Sequence, residues 1–451
     1  MRIVVIGDGK IGRTIAGHAA REGHEVTVVD RNPKTIEQIV EQYDVIGVCG
    51  NGASYDIQKE AFVDKADLVV ATTSSDEVNI LSCIIAKKLG CESTIARIRN
   101  YEYNNQIDLM SKELGISMTV NPDLEAANEI VNIINFPEAI KVDTFGKGKV
   151  DLVELYIPKN SPLSGLSLSE IHNKYQVKLL ICAVQRGEEV FIPSGNFVLN
   201  AEDKIHITAK RSSIKSLLNK LGLIENKIKD VMIIGGGRIT VYLAERLLKN
   251  KYEVKIIEKN YERCLELSDL LPNASIIHGD GTDQDLLEDE GIKNIDAFIS
   301  LTGIDEENII ISMYADKQKA HKIICKINKS SFASLLKTVG VASVISPKEI
   351  VASKIISYVR AIDNARGNNV ERLYKLIDNK VEALEFIAKD NKKLLNKTLS
   401  ELKFKENILI ASIIRNGEII TPSGQTTIQP NDSVIVISKD HILYELSDIL
   451  E

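Results

Sequence analysis

The chain is an internal duplication, and this feature constrains its fold more than any other. Its 451 residues form two halves with the same order of motifs. Gly7 and Gly235 begin matching glycine-rich segments, and Pro193 and Pro422 lie in matching turns, at separations of 228 and 229 residues. A repeat of this length is a whole folding unit, so each interpretation of the first half has a counterpart in the second.

The first part of each half alternates strands with helices. In the first half the apolar runs "RIVVIG", "HEVTVVD", "VIGVCGN", "ADLVVATT" and "TIARI" are separated by segments of helical periodicity such as "GRTIAGHAARE". This alternation predicts an α/β fold with a Rossmann-like, doubly wound parallel sheet. Beyond residue 140, short alternating strands with the turn sequences "RGEE" and "NAED" predict a small α+β domain. We therefore expect Rossmann-like domains at residues 1–140 and 229–366, each followed by a small domain, at 141–225 and 367–451.

A glycine-rich turn after the first strand has the spacing of a dinucleotide-binding loop. The segment "GDGKIG" places Gly7, Gly9 and Gly12 as G-x-G-x-x-G between a strand and a helix. In such a loop the first glycine permits the tight turn, the second lets a pyrophosphate approach the backbone, and the third lets helix and strand pack closely. The start of the helix adds free N–H groups and the positive end of its dipole.

An acidic residue at the end of the second strand favours the same interpretation. Asp30 lies 23 residues after Gly7. A carboxylate there accepts hydrogen bonds from ribose hydroxyls and repels a 2′-phosphate, so NAD(H) or an adenine nucleotide fits better than NADP. A P-loop is the weaker alternative, because Arg13 stands where such a loop has its lysine.

Other candidate contacts in the first half lie in the glycine loop or at the carboxyl ends of the strands, where ligands bind in such sheets. They are Asp8, Ile11, Arg31, Asn51, Gly52, Thr72, Thr73 and Arg97. The turn at Asn51 and Gly52 leaves room for adenosine, although a plain connection could have the same residues. Arg97 and Arg99 could reach phosphates or could instead be held in salt bridges.

The second half carries a modified version of the loop. Thr240 replaces the third glycine, so either the helix is pushed from the strand or the two adjust to each other. Glu258 takes the place of the ribose acid. We therefore expect a nucleotide-shaped site with weaker or different binding. Its candidate residues are Gly235, Gly236, Gly237, Ile239, Thr240, Glu258, Gly279, Asp280, Leu301, Thr302 and Lys326.

Composition and charge exclude several classes of function. A net charge of −7 without runs of like charge argues against a nucleic-acid partner. The N-terminus lacks the pattern of a signal peptide, and no apolar run approaches the roughly 20 residues of a membrane span, so we expect a cytoplasmic protein. The six scattered cysteines form no CxxC pair, which predicts reduced, mostly buried thiols and no metal site.

No catalytic group accompanies the nucleotide loops. None of the seven histidines stands in a recognisable catalytic constellation, and the GxSxG and HExxH motifs are absent from the sequence. The small domains are also too short to be the substrate domain of a dehydrogenase. The sequence therefore favours a regulatory binding protein rather than an enzyme, with an NAD-dependent oxidoreductase as the alternative.

The order of parts resembles a known family. The segments "GDGKIG", "GNGAS" and "ATTSSDEVNI", repeated as "GGGRIT", "GDGTD" and "SLTGIDEENII", are similar to the TrkA family, whose members carry two RCK domains (regulators of potassium conductance) in tandem. The resemblance implies a regulatory subunit that binds NAD(H), ATP or ADP and assembles as a homo-oligomeric, tetrameric gating ring. It implies a TrkH- or TrkG-like potassium channel subunit as partner, and a location on the inner face of the cell membrane. It also implies basic residues near the phosphates, here Lys10 and Arg238. A free-standing nucleotide sensor for another transporter is the remaining alternative.

Two further expectations concern packing. Alternation along "VDLVELYIP" places Val153 and Leu155 on one face and Glu154 on the other, so we expect Glu154 and its counterpart Glu385 to be solvated. A shared cation site at these two glutamates is the alternative. The helices "LEAANEIVNII" and "KEIVASKIISYV" carry apolar stripes at helical spacing, and the family resemblance implies that each crosses over to pack on a neighbouring half.

Overall fold

The computed structural model describes residues 1–100, 113–135, 139–145, 150–221, 228–329, 343–365, 370–377, 380–389 and 394–441, with residues 103, 332, 336, 443 and 445–451. Contacts divide the chain into two compact units. The Rossmann unit contains Met1–Ile130 and Val231–Val359, and the small-domain unit contains Val131–Asp230 and Arg360–Glu451. The two halves of the duplication therefore meet inside each unit. The boundaries expected at residue 225 and at residues 366 and 367 lie outside the described residues.

The first half of the Rossmann unit is a six-stranded parallel sheet in the order β3-β2-β1-β4-β5-β6. Its strands are β1 (Arg2–Ile6), β2 (Glu25–Asp30), β3 (Ile46–Cys49), β4 (Leu68–Ala71), β5 (Ser93–Arg97) and β6 (Met118–Val120). Its helices are α1 (Lys10–Arg21), α2 (Pro33–Gln42), α3 (Tyr55–Glu60), α4 (Asp76–Leu89) and α5 (Pro122–Asn135). The strand order reverses between β1 and β4, so the carboxyl ends of these strands border the crevice in which ligands bind.

Local sequence sets the ends of the helices around this crevice. The Ser75 hydroxyl accepts a hydrogen bond from the N–H of Val78 at the start of α4, and Gly90 ends the helix in a left-handed conformation with φ of +108°. Helix α2 begins with Pro33, whose missing N–H costs nothing at that position, and the Asn32 side chain caps it. Helices α2 and α4 therefore begin just beyond the carboxyl ends of β2 and β4.

The first small domain is a five-stranded antiparallel sheet in the order β10-β9-β11-β8-β7. Its strands are β7 (Ala139–Phe145), β8 (Val150–Tyr156), β9 (Leu180–Arg186), β10 (Glu189–Phe191) and β11 (Lys204–Ala209). Its helices are α6 (Leu168–Tyr175) and α7 (Arg211–Lys220), which cover the apolar face of the sheet.

The second half repeats the parallel sheet in the order β14-β13-β12-β15-β16-β17. Its strands are β12 (Asp230–Ile234), β13 (Glu253–Glu258), β14 (Ser275–His278), β15 (Ala297–Ser300), β16 (Lys322–Lys326) and β17 (Ser343–Ile345). Its helices are α8 (Arg238–Lys249), α9 (Tyr261–Leu270), α10 (Gln284–Asp289), α11 (Asp305–Lys317) and α12 (Pro347–Ala365).

The second small domain is again a five-stranded antiparallel sheet, in the order β18-β19-β22-β20-β21. Its strands are β18 (Val370–Leu376), β19 (Val381–Ile387), β20 (Ile408–Arg415), β21 (Glu418–Ile420) and β22 (Ser433–Lys439). Two Rossmann-like parallel sheets, each followed by a small α+β domain, confirm the predicted fold class. The six cysteines are free thiols, and all except Cys49 are buried, as predicted. None of the helices in the described part of the chain is long and apolar enough to cross a membrane.

The two small sheets pack against each other. One apolar cluster contains Leu152 and Cys182 from the first sheet and Ala383 and Ile435 from the second. The Thr208 hydroxyl also donates a hydrogen bond of 3.0 Å to a backbone carbonyl of β20. The face of each sheet that does not meet its own domain core is therefore covered by the other sheet.

This pairing makes the expectation for Glu385 wrong. Val153 and Leu155 share the core face of β8, as the alternation predicted. The opposite face meets the other sheet instead of water, and Glu385 is only 4% exposed. Its carboxylate accepts a hydrogen bond of 2.6 Å from the Ser433 hydroxyl, while Glu154 is half-buried. Among the described residues no group of His, Cys, Asp and Glu side chains could hold a metal ion.

An ion pair between a partly exposed arginine and a buried aspartate recurs at the same place in both small domains. Arg186 contacts Asp203 with two hydrogen bonds of 2.8 Å, and Arg415 contacts Asp432 at 2.9 and 2.8 Å. The side chains of both aspartates are almost fully buried. Each carboxylate also accepts a backbone N–H from the preceding turn, so it links the turn to the sheet.

We expect Asp203→Ala to destabilise the protein by about 1–3 kcal/mol, because it removes the buried acceptor of the Arg186 guanidinium and of the Asn200 N–H, while the guanidinium itself stays partly in water. Urea unfolding measures this change. Lys159→Ala is the matched control: it removes a pair with Glu202 in which both side chains are more than half exposed, and it should cost less than about 1 kcal/mol. Similar losses in the two variants would contradict the assignment of Asp203 as a structural anchor.

The crossover helix α12 belongs to the second half by sequence but packs in the core of the first. Its Val351 and Ile355 are fully buried in one apolar cluster with Ile11 and Ile15 of α1. This confirms the predicted crossing for α12. The segment that leads into α5 contacts the other half, since the Asn121 amide donates a hydrogen bond of 3.1 Å to a tyrosine hydroxyl of α8.

Candidate functional site

The glycines of the first loop have different physical roles. Gly7 follows β1 with φ of +96°, a left-handed conformation that side chains rarely adopt. A Cβ on Gly12 would lie 1.9 Å from the carbonyl oxygen of Gly7, so this position needs glycine for packing. A Cβ on Gly9 would meet nothing within 4 Å. Gly9 thus leaves open space above the N-terminus of α1, which has no side-chain cap and can offer its N–H groups to an anion.

The second loop tolerates Thr240 in place of the third glycine because the Thr240 hydroxyl takes over a hydrogen bond that a different threonine makes in the first half. In the first half, the Thr72 hydroxyl donates to the carbonyl oxygen of Gly7 at 3.1 Å. In the second half Leu301 stands in place of Thr72, and the Thr240 hydroxyl donates to the carbonyl oxygen of Gly235 at 2.5 Å. The same acceptor is satisfied from the strand in one half and from the helix in the other. Thr240 is therefore compatible with the loop.

The two acidic residues hold their glycine loops in place. Asp30 accepts hydrogen bonds from the N–H of Asp8 at 2.8 Å and the N–H of Asn32 at 2.9 Å. Glu258 accepts from the N–H of Gly236 at 2.6 Å and from a second backbone N–H at 2.8 Å. Each carboxylate oxygen has a second lone pair, so this anchoring leaves acceptor capacity for ribose hydroxyls.

Arg13, the residue that made a P-loop the weaker alternative, is held by the protein. Its guanidinium contacts Asp8 at 2.6 Å, and the Asp8 side chain is fully buried. Burial raises the pKa of Asp8, and the hydrogen bonds from Arg13 oppose this rise. Arg13 thus compensates a buried carboxylate beneath the loop.

A cavity of about 600 Å³ opens beside the first loop. Eleven of the residues predicted for the first site line it: Gly7, Gly9, Lys10, Ile11, Asp30, Arg31, Asn51, Gly52, Thr72, Thr73 and Arg97. Asp8 and Gly12 do not line it and act on the shape of the loop. The second half also contributes lining residues, namely Ile239, Lys326, Asn328, Pro347 and Lys348. The site is therefore built by both halves of the duplication.

The remaining predicted residues surround the second loop. They are Gly235, Gly236, Gly237, Arg238, Thr240, Glu258, Gly279, Asp280, Leu301 and Thr302, and none of them lines the cavity of the first loop. Sequence reasoning missed Asp123, Asn328 and Lys348, which do line it. The repeat contained a signal for two of them, because Asp123 and Lys348 occupy the second position of the two crossover helices.

The cavity is predominantly cationic. Its lining has six basic side chains, Lys10, Arg31, Arg97, Arg99, Lys326 and Lys348, against two carboxylates, Asp30 and Asp123. Such a wall suits a ligand that carries several negative charges.

Two of these cations are substantially buried. Burial, together with the nearby Arg99, lowers the pKa of Arg97 to about 10. Arg97 donates a hydrogen bond of 2.8 Å to the Thr73 carbonyl, but its Nε has no hydrogen-bond partner among the described residues. Burial also lowers the pKa of Lys326. A bound anion would stabilise both charges and supply the missing acceptor.

Thr73 is fixed by the protein. The Asn79 side chain accepts hydrogen bonds from the Thr73 N–H at 2.8 Å and from its hydroxyl at 2.7 Å. Asn308 holds the N–H of Thr302 in the same way at 2.9 Å. The carboxyl end of β4 is thus rigid in the first half, and that of β15 in the second.

A larger cavity of about 850 Å³ lies in the small-domain unit. Its charged lining is mixed, with four carboxylates (Glu188, Glu189, Glu382 and Asp440) against Lys380, Lys439 and His441. No residue of a glycine loop lines it, and it does not offer a predominantly cationic wall. We therefore assign the candidate site to the cavity in the Rossmann unit.

Comparison with known proteins identifies the same repeated organisation. The TrkA-N domain family matches residues 3–122 and 231–347, and the TrkA-C domain family matches residues 152–222 and 383–451. A "Trk system potassium uptake protein TrkA homolog" of Archaeoglobus fulgidus is 31% identical over 449 residues, with full coverage of both chains.

Solved structures share the fold at lower identity. The "GsuK channel bound to NAD" has a TM-score of 0.63 and 18% identity, over 97% of this chain and 77% of the other. The structure of "GsuK bound to ADP" has a TM-score of 0.52 and 16% identity, over 81% and 69%. With both domain families matched in both halves and a relative aligned over its full length, the chain belongs to the TrkA family, as its repeated glycine loops predicted.

Proposed function

We propose that the chain is a nucleotide-binding regulatory subunit of a potassium uptake system, and that NAD(H), ADP or ATP binds at the first glycine loop. The observation that carries this proposal is the composition of the cavity. A dinucleotide-type loop forms one wall, the acid Asp30 lies beside it, and six basic side chains surround the remaining space. An adenine nucleotide offers the complementary groups, a ribose diol for Asp30 and phosphates for the cations.

The relatives support this role. The Archaeoglobus protein is named as part of a potassium uptake system, and solved structures of the same fold contain NAD in one case and ADP in another. A regulatory rather than catalytic role follows from membership in the TrkA family.

The partner in this proposal is a TrkH- or TrkG-like potassium channel subunit. The chain lies on its cytoplasmic side as a peripheral protein and forms a homo-oligomeric, tetrameric ring. One structural neighbour is itself a channel, which supports coupling of this fold to ion flow.

The position of the cavity suggests how a nucleotide acts on the ring. Asp30 and the glycine loop belong to the first half, whereas Lys326 and Asn328 belong to the second. A ligand that contacts both halves can favour one arrangement of the halves over another, and it shifts the population only by its difference in affinity for the two. Nucleotides with different phosphate groups would bridge the halves to different extents.

Asp30→Ala in the full-length chain should weaken the binding of NADH or ADP by about tenfold or more. Each charge-assisted hydrogen bond that it removes contributes roughly 1.5–3 kcal/mol. Isothermal titration calorimetry measures the affinity. Glu258→Ala is the matched variant at the second loop and should leave the affinity of the first site unchanged.

Because Asp30 also anchors Asp8, a thermal melt must show that the Asp30→Ala variant remains folded. A folded variant with wild-type affinity would mean that Asp30 does not hold the ribose. A wild-type protein that binds none of NAD, NADH, ADP and ATP would overturn the proposed function.

A further inference from the structure

The two glycine loops lie at equivalent junctions between the halves. At one junction, the start of α8 behind the second loop meets the start of α5 from the first half. Arg238 contacts Asp123 there at 2.8 Å. At the other junction, α1 behind the first loop packs against α12 from the second half, and the last turn of α1 lies near the start of α12. His18 approaches Glu349 at 3.9 Å, and the apolar residues of both helices share one core.

The charges at the two junctions differ. Arg238 and Asp123 are opposite charges and neutralise each other. Their counterparts in the repeat are Lys10, the first residue of α1, and Lys348, the second residue of α12. Both lysines line the cavity of the first loop. The acid of one junction is thus replaced by a base at the other.

The carboxylates near Lys10 and Lys348 do not cancel the positive charge of the cavity. Lys348 contacts Glu349, its neighbour in the chain, at a rather long 3.8 Å, and Lys10 interacts electrostatically with Asp305. Lys326 and Arg97 add two partly buried cations to the same cavity, and Asp123, which also lines it, interacts electrostatically with both, so that the six bases still outnumber the two carboxylates Asp30 and Asp123. Several like charges that share a confined space repel one another, and a multivalent anion between them removes that repulsion.

The second loop has a further internal pair at its ribose end. Lys259 contacts Asp280 at 2.6 Å across the mouth of this loop. The corresponding residues at the first loop are Arg31 and Asn51, which line the cavity. Asp280, the carboxylate at the position of Asn51, repels an anionic nucleotide. Its ion pair with Lys259 also makes this lysine less available to a phosphate. The second loop is therefore neutralised at both ends by the protein's own carboxylates.

We propose that Lys348 is a phosphate-binding residue which the second half supplies to the first site. The pyrophosphate is held there between Lys10 and Lys348. Because Asp123 neutralises the second loop, each chain binds one nucleotide. This inference rests on the proposed function and deepens it. It assigns the regulatory ligand to one loop of the two and makes α12 a direct ligand contact as well as a packing element. The ligand class is a nucleotide with at least two linked phosphates.

Calorimetry of the full-length chain with ADP and NADH tests the role of Lys348. The wild-type chain should bind one nucleotide per chain. Lys348→Gln should weaken binding by about tenfold to a hundredfold, the effect of losing one charge-assisted hydrogen bond, and Lys348→Arg should restore most of it. Lys354→Gln is the matched control, because it removes a lysine of the same helix that pairs with Glu125 and does not line the cavity. Its affinity should equal that of the wild type.

The Asp123→Ala variant tests the assignment to one loop. It releases Arg238, and combined with Asp280→Asn, which releases Lys259, it should raise the number of nucleotides bound per chain above one. Adding Glu258→Ala should return the number to one. Wild-type affinity in folded Lys348→Gln, or two nucleotides per wild-type chain, would overturn this inference and leave the proposed function standing. Absence of binding to the wild type would instead overturn both.

Discussion

Gly12→Ala is expected to abolish nucleotide binding at the first loop and to lower the melting temperature. The added Cβ would lie 1.9 Å from the carbonyl oxygen and 3.0 Å from the carbonyl carbon of Gly7, and both are backbone atoms that cannot move without displacing the loop. Overpacking of this kind costs about 1–3 kcal/mol. Since the displaced loop is the wall that would receive the pyrophosphate, calorimetry should detect no binding of ADP or NADH.

Gly9→Ala separates the loss of the ligand from the loss of the fold. Gly9 has φ of −71°, and a Cβ there would meet nothing within 4 Å, so the melting temperature should not change. The methyl group would project into the space that the pyrophosphate needs, and affinity should fall by roughly tenfold or more, equivalent to about 1.4 kcal/mol.

Gly237→Ala is the matched control for Gly9→Ala, because a Cβ at Gly237 also meets nothing within 4 Å. If the first loop is the working site, Gly237→Ala should keep wild-type affinity. A Gly9→Ala variant that binds as tightly as the wild type would show that the ligand does not approach the backbone of the first loop.

The parts of the site that follow one strand and one turn could be predicted from the sequence. The left-handed turn at Gly7, the packing role of Gly12 and the acid Asp30 at the end of β2 depend on residues close in sequence or on the standard order of a doubly wound sheet. The doubly wound parallel arrangement of both sheets followed from the same alternation of strands and helices. Local pattern was sufficient there because the structure at these positions is local.

The parts that depend on the pairing of the two halves could not be predicted in the same way. Lys348 reaches the first cavity only because α12 crosses to the first half, more than 300 residues from Gly7 in sequence. Glu385 is buried only because the sheet of the first small domain covers that face of its strand, and a strand pattern alone does not reveal what covers its polar face. The exchange of Thr72 for Thr240 as hydroxyl donor likewise requires two positions to be compared across the repeat.

Ile355→Asp is expected to destabilise the first half, although Ile355 lies in the second half of the sequence. Ile355 is fully buried in the cluster that contains Ile11 and Ile15 of α1, the helix that begins at the glycine loop. Burial of an unpaired carboxylate in an apolar core costs several kcal/mol, a large part of the roughly 5–15 kcal/mol that holds a protein folded. We therefore expect a lower melting temperature and loss of ADP binding together. Ser353→Ala, an exposed position on the same helix, should change neither.

Because α12 completes this core, a chain that ends before residue 347 should show the same two losses, so nucleotide binding has to be measured on the full chain. An Ile355→Asp protein with wild-type melting temperature and ADP affinity would show that α12 is not part of the first core, and the proposed contact of Lys348 with the nucleotide would fail with it.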